Sequence, residues 1–223
     1  MKGDRKMTRM NTVWGVAGML FLSLAVYMAG AQDLKDISLP PPRMEGGKPL
    51  MQALKERQTT RAFSTKKLPL QVLSDLLWAA AGINRPDSGK RTAPSAMNWQ
   101  EIQVYAIMED GAYLYDAKAN ILKMVAKGDL RKLTGSQDFV ASAPLNLLFI
   151  ADTTKIRRVT GDDLLLFMGA DTGYISQNVY LFCASEGLVT VVRGMVNRKA
   201  LSKEMNLPDT MRIVLAQTVG YPK

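Results

Sequence analysis

Within five residues, Arg57-Gln58-Thr59-Thr60-Arg61 gathers two guanidinium groups together with hydroxyl and amide donors. A guanidinium presents a planar fork of donors that matches phosphate or carboxylate, and a neighbouring hydroxyl can add a further hydrogen bond. The cluster therefore has the chemistry to hold an anionic ligand. Taken alone, such a cluster is more often a solvated helix end whose cations face the negative pole of the helix dipole. A second polar stretch, residues 94–100, closes an aperiodic segment that also holds Pro86, Asp87 and Gly89. Long loops inside compact domains are commonly functional.

Other chemistries are excluded or discounted. The chain contains no histidine, which removes Ser-His-Asp and Cys-His catalysis and every histidine-containing metal site. Reactions beyond the remaining side chains call for a borrowed cofactor. Cys183 is the single cysteine, so no intrachain disulfide can form, and its apolar helical surroundings mark a core residue rather than a nucleophile. Asp162 and Asp163 read as helix capping, since no further ligands cluster with them. Gly89-Lys90-Arg91-Thr92 has the composition of a phosphate loop, but its spacing from Gly82 is wrong and no strand precedes it.

The elements that must position these residues are legible in outline. The 223 residues are 47% apolar, which fits one globular domain with its own core. Residues 1–31 have a basic start (Lys2, Arg5, Lys6, Arg9), an apolar run from Val13 to Met28 and a small-x-small end at Ala29-Gly30-Ala31, the pattern of a secretory signal peptide. A retained anchor is the alternative, since the run approaches the ~20 residues a spanning helix needs, though Gly15, Gly18 and Ser23 interrupt it. Export, with a periplasmic location, is expected. Removing this segment leaves 25 Lys and Arg against 19 Asp and Glu, a basic surface suited to an anionic ligand but without the charge runs of a nucleic-acid binder.

Residues 32–48, rich in proline and glycine, read as a flexible leader, with the folded domain over 49–223. Helices are expected near 49–56, over 69–81 with Gly82 as a left-handed cap, and over about 117–133. A hairpin is expected at 102–115, with a buried strand at 144–150 and a closing strand at 211–219. The strongest helix covers 162–186. It is apolar around almost its whole circumference, and Gly169 and Gly173 lie one turn apart, which allows another helix to approach closely, from a partner subunit or from the same chain. Helices and strands intermix without a repeated βα unit, so the class is α+β.

Six short motifs occur in an order that resembles the nitroreductase family of FMN enzymes. They are Arg57, Thr59, Arg61 and Phe63; Pro94, Ser95, Asn98 and Gln100; QDFVASAPLNLLFIAD; QNVYLFCASEGL; VVRGMV; and TVGYPK. Together they cover about residues 50–223. The resemblance implies a nitroreductase-like α+β fold, a central, mainly antiparallel sheet flanked by helices, and an intertwined homodimer with its sites between subunits. It implies that Arg57 holds the FMN phosphate, Gln58 and Thr59 the ribityl-phosphate region, and that Arg61 lies near N1 and O2 of the flavin. Pro94, Ser95, Ala96 and Asn98 would reach the flavin of the other subunit. Val192, Arg193 and Gly194 would run beside the ring, with a backbone N–H near Arg193 offered to N5. The implied activity is transfer of hydride or electrons from NAD(P)H to an organic acceptor such as a nitroaromatic, quinone or enone. Two departures stand out: the chain ends at Lys223 where larger members continue to basic phosphate-binding residues, and Arg193 replaces a position that is acidic in some members. The short C-terminus is similar to the compact branch that includes azoline-oxidising flavoenzymes. A flavin-dependent dehydrogenase or oxidase, and an exported non-enzymatic module binding a polyanion, are the alternatives.

Overall fold

A computed structural model describes residues 35–223; the expected signal peptide lies outside the described residues. The strands are β1 (Ile37–Ser38), β2 (Ile83–Arg85), β3 (Lys90–Arg91), β4 (Ile102–Ile107), β5 (Gly111–Asp116), β6 (Ile121–Lys127), β7 (Leu145–Asp152), β8 (Val189–Arg193) and β9 (Met211–Gly220). The helices are α1 (Leu50–Glu56), α2 (Leu70–Ala81), α3 (Gly161–Glu186) and α4 (Arg198–Glu204). Seven strands form one sheet in the order β1-β6-β5-β4-β7-β9-β8. Every neighbouring pair in it is antiparallel.

The sheet separates two apolar layers, and the period of two along each strand decides which side chain enters which. Val104, Ala106, Leu147 and Phe149 face α2 and α3, packing with Leu73, Leu76, Leu77, Ile175 and Val179. Tyr105, Ile107, Leu148 and Ile150 point the other way, toward Leu201 and Met205 at α4. β7 thus has apolar cover on both sides, the reason its sequence is a continuous apolar run rather than an alternating one.

The expected hairpin is present, with Tyr105 opposite Leu114 and Ala106 opposite Tyr113. The long helix also forms as expected and stops at Gly187, which adopts the left-handed backbone (φ 70°) that favours glycine. Its N-cap is Thr160 rather than Asp162 or Asp163, which sit in the first turn and face the positive end of the helix dipole. Gly82 ends α2 in an extended conformation, not a left-handed one. Glycine is needed there for close approach, because a Cβ would collide with the Trp78 ring and carbonyl.

Two further expectations are corrected. Residues 117–133 are not a helix: Asp116 accepts from the backbone of Lys118 and Ala119, Asn120 turns left-handed, and the chain returns as β6 alongside β5. The leader is not free along its whole length. Ile37 and Ser38 pair with β6, Leu39 is buried, and Arg43 forms an ion pair with Asp75 of α2. Packing of this segment begins before residue 49.

Candidate functional site

Arg57 is the C-cap of α1, and the chain then runs extended past Thr59 and Arg61. This stretch is held by Tyr180, a buried phenol on α3. The Tyr180 hydroxyl shares a hydrogen bond with Thr59 Oγ1 (3.1 Å) and accepts from the Val192 backbone N–H of β8 (3.1 Å). Thr60 N donates to Thr190 O (3.1 Å), so strand and segment are tied side by side. Two of the three stretches singled out in the sequence, 57–61 and 192–194, therefore meet at one phenol. Sequence reasoning missed Tyr180; its only signal is a hydroxyl-bearing residue on the inward face of an apolar helix.

Beside this junction lies a cavity of about 480 Å³ lined by Lys48, Lys55, Glu56, Arg57, Gln58 and Tyr180, among others. The Arg57 guanidinium stands 5.4 Å from the centre of the Tyr180 ring. Lys48 pairs with Glu56 (2.5 Å), whereas Arg57, Lys55 and Arg61 have no carboxylate partner among the described residues. Uncompensated cations beside a concave, polar surface are the donor set that a phosphate-bearing ligand requires. At the far end of the sheet order, Phe63 bridges Pro222 and Ser64 N donates to Tyr221 O, which brings Lys223 alongside the same stretch.

The third stretch is elsewhere in the protomer. Residues 94–100 form a tight loop in which Met97, Asn98 and Gln100 have positive φ of 49°, 54° and 50°. Left-handed backbone at non-glycine residues costs about 1–3 kcal/mol each and persists where contacts over-determine it. The contacts are visible here. Gln100 N donates to Ser95 Oγ, Arg91 Nε donates to the Gln100 side chain, and Lys155 Nζ donates to Gln100 O. Ala96 N donates to the buried Asp171 Oδ2 of α3 at 2.9 Å. Asp171 and Tyr180 are separated by about 13 Å along the helix, at ~1.5 Å per residue. Pro94, Ser95, Ala96 and Asn98 are thus not brought to Arg57 and Val192 within one protomer.

The Arg193 side chain belongs to the interior of the protomer. Its guanidinium turns into the interior, is 6% exposed, and donates to Thr134 O, Asn146 Oδ1 and Thr218 Oγ1 at 2.5, 2.9 and 2.8 Å. Burial lowers its pKa to about 10, still well above neutrality, so a cation sits in a knot of neutral acceptors. Gly135 makes room for it: a Cβ there would collide with Nη1. With this side chain turned inward, the half-buried Val192 and the exposed Gly194 are the parts of 192–194 left at the surface. Arg193→Ala should destabilise the fold by about 2–4 kcal/mol, because it leaves a cavity and several buried acceptors without donors. Chemical denaturation reads this directly; a loss under 1 kcal/mol would show that the knot is not structural.

The order of these pieces has known counterparts. The nitroreductase family profile matches residues 54–221. The chain belongs to the nitroreductase family. A nitroreductase homologue of Methanocaldococcus jannaschii is 31% identical over 155 residues, covering 65% of this chain and 78% of that protein. A solved nitroreductase homologue from Ralstonia eutropha is 42% identical, covers 84% of this chain and 90% of its own, and superposes with a TM-score of 0.80. An iodotyrosine deiodinase of Nematostella vectensis is 25% identical over 181 residues, 76% of this chain and 66% of that protein. Family membership makes an oxidoreductase activity the expectation for this nitroreductase-family chain, and its α+β fold with an antiparallel central sheet agrees.

The outer face of α3 bears on how the separated pieces meet. Leu165, Leu166 and Tyr174 are 56%, 63% and 49% exposed. Apart from the helix's own backbone, no atom of the described residues lies within 4 Å of where a Cβ would stand at Gly169 or Gly173. Close packing against these glycines is therefore not made within the described part of the chain. The apolar residues of α1 are also turned outward: Leu50, Met51 and Leu54 are exposed, and only Ala53 is buried.

Proposed function

We propose that this nitroreductase-family protein is an exported FMN-dependent oxidoreductase that takes hydride from NAD(P)H and passes electrons to an organic acceptor such as a nitroaromatic, quinone or enone, working as a homodimer. The observation that carries it is the junction at Tyr180, where cations at 57–61 without a carboxylate partner are tied to β8 at Val192, next to the exposed Gly194 and beside a cavity of about 480 Å³.

Bound FMN would supply the two-electron chemistry. The chain's own residues bind and orient. Arg57 would pair with the phosphate, with Gln58 and Thr59 beside the ribityl chain, and Arg61 would offset negative charge at N1 and O2. The backbone at Val192, Arg193 and Gly194 would run along the ring edge with an N–H directed at N5. No side chain has to act as acid or base at the reacting atoms; catalysis would come from holding donor and acceptor in turn against one face. Lys223, alongside residue 62, is positioned to add charge near the phosphate.

The partner would supply what the protomer lacks. A two-fold axis crossing α3 makes the two copies antiparallel, so the 94–98 loop, anchored near Asp171 of one, approaches the Tyr180 end of the other. The open glycines and exposed leucines of α3 are the surface such a contact would cover.

Protein purified at neutral pH is expected to be yellow, with a flavin spectrum and one FMN released per chain on denaturation. A colourless dimer that cannot be reconstituted with FMN would end this reading and return the exported polyanion-binding module.

A further inference from the structure

We infer that the cavity beside the 94–98 loop is the acceptor pocket, and that it selects a planar aromatic acceptor carrying a carboxylate or sulfonate, held by Arg157 and Arg158. The inference rests on the proposed function for its link to electron transfer; the preference for an aromatic anion rests on this chain's own residues.

The cavity has a volume of about 870 Å³ and is formed within one protomer by the loop, the segment after β7 and α3. Small-molecule sites commonly enclose roughly 300–1,000 Å³. Its apolar wall is Met97, Trp99 and Phe167. The Trp99 and Phe167 rings meet edge to face, with 5.8 Å between centres and 89° between planes, which ties the loop to α3. Both rings are only half-buried, so aromatic surface is left for a ligand's ring. Met97 is 84% exposed although apolar, and its backbone is left-handed (φ 49°, ψ 19°). A long side chain held in that conformation is strained, and such strain is concentrated at ligand sites. Its thioether is polarizable and adapts to aromatic surfaces.

The opposite character comes from Lys155, Arg157 and Arg158, which line the same cavity, and no carboxylate is among its walls. Lys155 Nζ is committed to Gln100 O (3.1 Å). Arg157 and Arg158 are exposed and form no ion pair among the described residues. Asp162 and Asp163 follow them in sequence but sit in the first turn of α3, at the positive end of its dipole. Two uncommitted guanidinium groups beside aromatic surface match a ligand that is anionic at one end and flat and apolar along the rest. A neutral nitroaromatic or quinone would use the apolar wall and leave both cations without a partner; a small anion without a ring would leave the apolar wall bare. The loop lining this cavity is also the one that the proposed dimer brings to the partner's flavin, so acceptor binding and electron transfer would share one element.

The test compares 4-nitrobenzoate with 4-nitrobenzamide, which are nearly the same shape and differ in charge at neutral pH. Dissociation constants of both would be measured by calorimetry on the FMN-loaded dimer without NAD(P)H. The ratio of kcat/KM would be measured with NAD(P)H, where one hydride and one proton convert the nitro group to nitroso and water. Wild type should prefer the benzoate by about tenfold in both measurements, from two exposed charge contacts of about threefold each. Added salt should shrink that preference. Arg157→Gln combined with Arg158→Asn should bring it close to one; asparagine tolerates the left-handed backbone (φ 64°) found at Arg158. Phe167→Ala should weaken both ligands by a similar factor and keep the preference. Wild type that binds the two alike, or binds neither while holding FMN, would overturn the inference, as would a double variant that keeps the preference. A preference in binding without one in kcat/KM would overturn the cavity's role as acceptor pocket. A dimer that holds no FMN would instead overturn the proposed function and the link to electron transfer, and calorimetry on the flavin-free protein would then decide the anion preference by itself.

Discussion

For the proposed FMN-dependent homodimer, Gly173→Trp is expected to give a monomer that holds no FMN, while the protomer itself stays folded. The argument rests on an asymmetry. In the protomer no described atom beyond the helix's own backbone lies within 4 Å of a Cβ at this position, so the indole meets open space. Replacing glycine inside an exposed helix also gains a few tenths of a kcal/mol of helix propensity. Within a lone chain the substitution is therefore neutral or stabilising. At a helix crossing that needs a small residue it is prohibitive, because two backbones that approach across glycine cannot accommodate a ring. The expected result is a halved mass by light scattering, an FMN content near zero and a melting temperature of the unliganded protein close to that of flavin-free wild type. A variant that stays dimeric with full FMN would show that the exposed face of α3 is not the subunit contact.

The second large effect is expected at the cations. Arg57→Ala should weaken FMN binding by about 30-fold, the equivalent of about 2 kcal/mol for a charge-assisted hydrogen bond. It should leave riboflavin, which lacks the phosphate, nearly unaffected. Arg61→Ala should weaken both ligands by a similar factor, since its proposed place is at the ring. Titrations of the flavin-free dimer with each ligand separate the two roles. Equal losses of FMN and riboflavin in Arg57→Ala would reject the phosphate assignment. Unchanged binding in both variants would make the cluster an ordinary solvated helix end, the alternative its composition always allowed.

The elements most clearly written in the chain are those whose side-chain pattern and surroundings agree. The alternation from Ile102 to Ile107 and the apolar run of β7 predict strands because one sorts its side chains to two layers and the other is covered on both. Residues 117–133 mislead for the opposite reason. Leu122, Lys123, Met124 and Ala126 are helix formers, but their place opposite Tyr115, Leu114, Tyr113 and Ala112 in the sheet outweighs propensity. The turn residues Asp116 and Asn120 carried the signal. The segment at 37–39 was masked by its proline-rich composition, and its short pairing with β6 exists only once that strand is in place. At the site, the cations at 57–61 and the 94–98 loop are recognisable as motifs, whereas Tyr180 and Asp171 are not, because each acts through a neighbour distant in sequence, Thr59 and Ala96.

Composition alone settles that this chain works without imidazole and without an intrachain disulfide, and the order of its motifs points to its family. Those properties depend on which residues are present and in what succession. Where the guanidinium of Arg193 points, which phenol joins residue 59 to residue 192, and which backbone N–H the Asp171 carboxyl accepts from were decided by tertiary packing. The reason is that burial and hydrogen-bond partnership are set by segments far apart in sequence, such as Arg193 with Asn146, 47 residues away, and Thr59 with Tyr180, 121 residues away. No local pattern encodes distances of that kind.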